Sequence, residues 1–180
     1  LVGEMAKAAG IAVKVGGNLG TPALDLLDET AELYVLELSS FQLESTFSLK
    51  AAAATVLNIS PDHMDRYDSL GEYHRTKQRI YLHAAHLIIN RDDALTHPPL
   101  AQGAQITRFT TGEPDLKDFG LHRQDEQLFL VHGLRLLLRA SELKIRGIHN
   151  LANALAALAL GRAVGLAEDA MLATLKTFSG

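Results

Sequence analysis

The stretch AELYVLELSSFQLE, residues 31–44, gathers Leu33, Tyr34, Val35, Leu36 and Leu38 around one carboxylate, Glu37, and then stops at Ser39 and Ser40. A short apolar run rich in branched and aromatic side chains predicts a strand buried on both faces, and such strands belong to parallel sheets covered by helices. Upstream, IAVKVGG predicts a second short strand running into Gly16 and Gly17, followed by Asn18 and Gly20. Thr21 and Pro22 carry the cap-then-first-turn signature of a helix, expected over residues 23–27.

Downstream, FQLESTFSLKA reads as an uneven connection, and AAATVLNIS, residues 52–60, as the next strand. Residues 70–83 have helical spacing, with Tyr73, Lys77, Ile80 and Tyr81 about one turn apart. LIINRDD predicts a strand ending in a charged turn. ITRFTT, LHRQDEQLFLVHG and LRLLLRA, within residues 105–140, predict short hairpin strands, and residues 149–164 and 168–177 are helical. The order predicts an α/β fold: a mostly parallel sheet with helices on both faces, three layers deep, with an edge β-hairpin region.

Composition narrows the chemistry. A chain of 180 residues with 47% apolar content can bury the core of one domain. It has no cysteine, so any metal must be held by oxygen and imidazole, a composition that suits the cytoplasm. The net charge of -4 and the lack of a basic block argue against a nucleic-acid partner. LANALAALALGRAVGLA is interrupted by Arg162 short of the roughly 20 apolar residues that cross a bilayer, so it reads as a buried helix and not a membrane span. LVGEMAKAAG has the pattern of the second half of a helix closed by Gly10, and KTFSG follows a helix directly, so both ends are expected to be cuts in a longer protein.

Four segments could carry chemistry, because ligands of such sheets gather beyond the carboxyl ends of the strands. Glu37, Ser39 and Ser40 either deliver a carboxylate and two hydroxyls to that edge or simply meet solvent and cap the next turn. NISPDHMDRY, residues 58–67, sets Asp62, His63 and Asp65 after a strand end, as cation ligands or as a hydrogen-bonded loop. Lys77 lies beside an apolar stripe, where an amine either snorkels to water or, partly desolvated, becomes nucleophilic enough to capture carbon dioxide as a carbamate. RGIHNLANALAALA opens a helix at His149 and Asn150, with Asn153 on the same face as Asn150, where amides either cap the helix or read a nucleotide base. GGNLGTP, residues 16–22, offers backbone N–H groups as a nest for an anion. The ATP-cradling pattern GxxxxGK[ST] does not occur.

Together VGGNLGTP, VLELSSFQLE, NISPDHMDRY, YHRTKQRIY and GIHNLANALAA resemble the Mur ligases, in this order and at about these distances. ELSSFQLE points to the branch that adds D-glutamate. The resemblance covers residues 1–180 as a partial central ATP-binding domain, without the phosphate loop, the N-terminal UDP-binding domain or the C-terminal domain. It implies a cytoplasmic bacterial ligase, monomeric as the full-length enzyme, that uses ATP and two Mg2+ ions to join D-glutamate to UDP-N-acetylmuramoyl-L-alanine through an acyl phosphate. By the same resemblance Glu37, His63 and an N6-carboxylated Lys77 would hold magnesium and serve catalysis. Asn18, Ser39, Ser40 and His63 would lie near the muramoyl substrate or phosphate, and His149, Asn150 and Asn153 would meet the adenine nucleotide. The competing expectations are a non-catalytic nucleotide or sugar-nucleotide binding module, and a related Mur or folylpolyglutamate ligase with another acceptor.

Overall fold

The computed structural model describes residues 1–98 and 103–180. Helix α1 (Val2–Ala8) precedes β1 (Val13–Gly17), a single 3-10 turn at Ala23–Leu26, β2 (Leu33–Glu37) and α2 (Ser40–Glu44). Then come β3 (Ala53–Val56), α3 (Leu70–Gln78) with a 3-10 extension at Arg79–Tyr81, β4 (His86–Asn90) and β5 (Gln105–Phe109). The antiparallel strands β6 (Phe119–Gln124), β7 (Gln127–His132) and β8 (Arg135–Arg139) lead to α4 (Ile148–Ala163) and α5 (Glu168–Thr177).

The strands form a six-stranded sheet in the order β3-β4-β5-β6-β7-β8 and a separate parallel pair, β1-β2. Parallel pairing runs from β3 to β6, and the β6-β7-β8 meander turns antiparallel at one edge. The expected mostly parallel sheet and its edge hairpins are therefore present, but ITRFTT, expected among the hairpin strands, is β5 and pairs in parallel with both β4 and β6. The sheet is divided, however: among the described residues β2 and β3 do not pair, and the cleft described below runs between them.

Period-two alternation on β4 builds the layers. Ile88 points into a core with Phe109, Leu121, Leu155, Leu158 and Leu175, beneath α1, α4 and α5. Leu87 and Ile89 point the other way, to Tyr73, Tyr81 and Val56 beside α3. Helix α4 is covered on all sides along Ala154–Ala159, so its apolar run is a core helix wedged between the sheet and the other helices.

Several boundaries differ from expectation. The helix predicted over 23–27 is one 3-10 turn, preceded by Pro22 with no side-chain cap from Thr21. Of its residues only Leu26 is buried while Leu24 is exposed, so no apolar face stabilises a longer helix. The strand predicted over 52–60 stops at Val56 because side chains beyond β4 take over its backbone groups. Asn90 Nδ2 donates to the Leu57 carbonyl at 2.8 Å, and the Ile59 N–H donates to Asp93 Oδ2 at 2.8 Å. FQLESTFSLKA, read as a connection, contains α2, which Ser39 and Gln42 start with a reciprocal capping box.

Candidate functional site

A cleft of about 700 Å3 opens where the carboxyl ends of β2 and β3 face each other and the start of α4. Glu37, the last residue of β2, lines it, as do Asn58 beyond β3, Lys77 on α3, and Asn150 and Asn153 on α4. The cleft continues into an apolar groove of about 510 Å3 between residues 32–38 and 49–55. These five polar side chains thus meet at one end of a largely apolar slot, an arrangement that orients a ligand.

The local structure explains each placement. Gly17 and Glu37 are register partners, and the Asn18 N–H donates to the Glu37 carbonyl at 2.7 Å, which fixes the end of β2. Glu37 is exposed, and among the described residues its carboxylate has no hydrogen-bonded or ion-paired partner. Lys77 is half-buried with its Nζ 5.5 Å from the centre of the Tyr73 ring, and no carboxylate pairs with it among the described residues. A cation over an aromatic face, without a counter-charge, is neither a snorkelled surface lysine nor a salt bridge. Asn150 spends one amide N–H on the Arg146 carbonyl at 2.8 Å and keeps its oxygen, while Asn153 is exposed to the cleft. Gly147 lets the chain turn into α4 at φ 94°, a backbone region that glycine enters without steric cost.

Other expected site residues lie elsewhere. His63 sits beside the cleft region against α2, its ring centre 4.8 Å from that of Phe41 and its Nε2 3.4 Å from Asp62. It does not line the cleft with Glu37 and Lys77, and among the described residues no three His, Asp or Glu side chains cluster closely enough to hold a metal ion. His149 is exposed at the first turn of α4, packed back against Gly147 and outside the cleft lining. The Ser39 hydroxyl serves the capping box of α2. Ser40 is 2% exposed, its hydroxyl without a partner among the described residues, so it does not reach a ligand in this conformation.

The glycine loop is a correction. Two of the N–H groups expected to form a nest at residues 16–22 are already used within the fold: Gly17 donates to Thr21 O at 2.9 Å and Asn18 to Glu37 O at 2.7 Å. A Cβ at Gly16 would come within 2.2 Å of Thr21 O, and one at Gly17 equally close to Glu37 O. These glycines permit close backbone packing rather than an anion cradle. Asn58, by contrast, lines the cleft, and its position near the end of an expected strand was the signal for it.

The Mur ligase middle domain model matches residues 11–161. The chain is 59% identical over all 180 residues to the UDP-N-acetylmuramoylalanine–D-glutamate ligase of Pseudomonas fluorescens Pf-5, and covers 40% of that relative. It is 59% identical to the same-named enzyme of Pseudomonas aeruginosa PAO1 and 52% identical to that of Hahella chejuensis, in each case over the whole chain and 40% of the relative. The chain thus spans 40% of the length of the curated relatives it matches. Among solved structures, a UDP-N-acetylmuramoyl-L-alanyl-D-glutamate–2,6-diaminopimelate ligase superposes with a TM-score of 0.78 at 22% identity, over 99% of this chain and 43% of that one. MurF from Acinetobacter baumannii superposes at 0.72 and 21% identity, again over 99% and 43%. These two likenesses establish the fold. With the family model spanning most of the chain, the conclusion follows that this protein belongs to the Mur ligase middle-domain family.

Proposed function

We propose that the chain is the greater part of the central ATP-binding domain of a ligase that joins D-glutamate to UDP-N-acetylmuramoyl-L-alanine, a cytoplasmic step of bacterial peptidoglycan precursor synthesis. The observation that carries this reading is the convergence of Glu37, Lys77, Asn150 and Asn153 on one cleft, in a chain 59% identical to a ligase of that name. The parent enzyme would add the phosphate loop, the UDP-binding domain and the C-terminal domain, and would work as a monomer.

In the proposed reaction a carboxylate oxygen of the muramoyl substrate attacks the γ-phosphorus of ATP and ADP leaves. The amine of D-glutamate then attacks the acyl-phosphate carbonyl, and inorganic phosphate departs from the tetrahedral intermediate. Two anions must be brought together, so the demand on the protein is positioning and charge compensation. Asn150 and Asn153 would offer amide edges to the adenine nucleotide, with His149 at the rim. Asn18, tied to the end of β2, and His63 would face the muramoyl substrate, while Ser39 and Ser40 act by starting α2.

Magnesium fits the donor chemistry in part. Glu37 and an N6-carboxylated Lys77 would present two hard oxygen donors to one cleft, and the unpaired Lys77 amine is the group that carbon dioxide would convert. His63 would join from the neighbouring turn. Bound there, two Mg2+ ions would neutralise the charge on the transferring phosphoryl oxygens.

The test is phosphate release from ATP by the full-length ligase with UDP-N-acetylmuramoyl-L-alanine, comparing D-glutamate with L-glutamate, meso-diaminopimelate and L-lysine. Dependence on D-glutamate is expected. Dependence on another acceptor would retain the ligase and overturn the meaning of ELSSFQLE. The missing GxxxxGK[ST] favours a second reading for these 180 residues by themselves, a nucleotide-binding module without turnover. ATP binding without phosphate release with any of these acceptors would overturn the ligase reading for the full-length protein and leave a binding module.

A further inference from the structure

Helix α2 and the turn that carries His63 are locked together by one side chain. Glu44, the last residue of α2, accepts on both carboxylate oxygens: Arg66 Nη2 donates to Oε2 at 2.6 Å and the Tyr67 hydroxyl to Oε1 at 2.6 Å. One helical turn earlier, Phe41 lies against the His63 ring, is parallel to the Tyr67 ring at 6.4 Å, and has the Arg66 guanidinium 5.0 Å above it. Arg66 and Tyr67 are also the residues whose backbone N–H groups close on the His63 carbonyl, at 3.0 and 3.2 Å. His63 itself is held at φ 54°, a left-handed conformation uncommon for a residue with a Cβ. From the other side Arg79, two residues beyond Lys77, donates to the Leu43 and Thr46 carbonyls at 2.7 and 3.1 Å and so fixes the end of α2 to α3.

We infer that Glu44 is a positioning residue of the ligase: by clamping Arg66 and Tyr67 it holds the turn that presents His63 against α2, the helix whose Leu43 lines the cleft with Glu37 and Lys77. This rests on the proposed role of His63. The geometry supports it because every contact of the clamp falls on a residue that also shapes the His63 turn or α2, which begins three residues after Glu37. A surface ion pair serving stability alone has no reason to engage both N–H donors' owners of a strained turn. The capping box at Ser39 then fixes one end of α2, and Glu44 and Arg79 fix the other.

The test is a double-mutant cycle in the full-length ligase with Glu44→Ala and His63→Asn, reading kcat and KM for the muramoyl substrate. Asparagine tolerates the left-handed backbone, so His63→Asn removes the imidazole without adding strain. Glu44→Ala is expected to lower kcat/KM by about 10- to 100-fold, the scale of a roughly 1 Å displacement of a working group. In the His63→Asn background the same change is expected to cost under about 2-fold, since residues acting through one group are not additive. Equal losses in both backgrounds would overturn the clamp and leave the role of His63 standing. Native turnover of His63→Asn would overturn the role of His63 and the clamp with it. Tyr67→Phe removes a single hydrogen bond and keeps the ring, so it serves where Glu44→Ala fails to fold; the same non-additivity is expected, at smaller amplitude.

Discussion

Lys77→Ala separates a catalytic lysine from a structural one most cleanly. Its Nζ touches one aromatic face, 5.5 Å from the Tyr73 centroid, and pairs with no carboxylate among the described residues. Half-exposed contacts of that kind contribute about 0.5–1 kcal/mol, so the variant should lose no more than roughly that in stability. If Lys77 carries a charge that stabilises phosphoryl transfer, its loss should cost ~3 kcal/mol in the transition state, a fall in turnover of at least ~100-fold. The assay is phosphate release by the full-length ligase, with thermal unfolding measured beside it. Lys77→Arg sharpens the test: it keeps a cation over Tyr73 but cannot form the carbamate, so it should be nearly as slow as Lys77→Ala. Near-native turnover in Lys77→Ala would refute the assignment, and restoration by arginine would refute the carboxylated form and leave a plain cation in its place.

Glu37→Ala should also cut turnover at least ~100-fold while leaving the fold intact, because its carboxylate faces the cleft and supports no neighbour; unchanged turnover would remove it from the site. Tyr81→Phe should speed hydrogen exchange at the Val56 amide. The Tyr81 hydroxyl accepts that N–H at 2.9 Å, burial pushes its pKa up to about 12, and an unpaired buried donor costs about 1–3 kcal/mol. Leu155→Ala, at a site with no exposed surface, should destabilise by roughly 2–5 kcal/mol, read as a lowered unfolding midpoint. For pH, burial lowers the pKa of His86 and His132 below 6.5, so the unfolded chain binds more protons near that value. Their contribution is complete above pH 6.5 and declines as pH falls toward the folded pKa values, and His132→Gln should flatten the acid limb of an unfolding profile.

The divided sheet shows how far local pattern reaches. Val35, Leu36 and Leu38 announce a strand, but its pattern does not say which strand lies beside it, and among the described residues β2 pairs only with β1. Residues 52–60 look like one strand because apolar content continues to Ile59, yet Asn90 and Asp93, more than 30 positions on, capture its carbonyl and N–H. The α2 signal was visible as Ser39 and Gln42 at capping-box spacing; its short length hid it. The glycine pair illustrates the opposite error. Gly16 and Gly17 invite an anion-nest reading, but the Gly17 N–H donates to Thr21 and the missing Cβ atoms of both glycines allow close contact with Thr21 and Glu37.

By itself the sequence determined the class of fold, most of the strand and helix order apart from α2 and the turn at residues 23–26, the absence of cysteine chemistry, and the residues worth testing. Those properties follow from side-chain periodicity and residue chemistry, which act over a few neighbouring positions. Only the tertiary structure decided which of those residues share a cleft. It joined Glu37, Asn58, Lys77, Asn150 and Asn153, kept His63 on an adjoining turn, and buried Ser40. Its reason is physical: packing of α3 and α4 on opposite faces of the sheet sets where their ends converge, and the Glu44 and Arg79 contacts set where α2 sits against the end of α3.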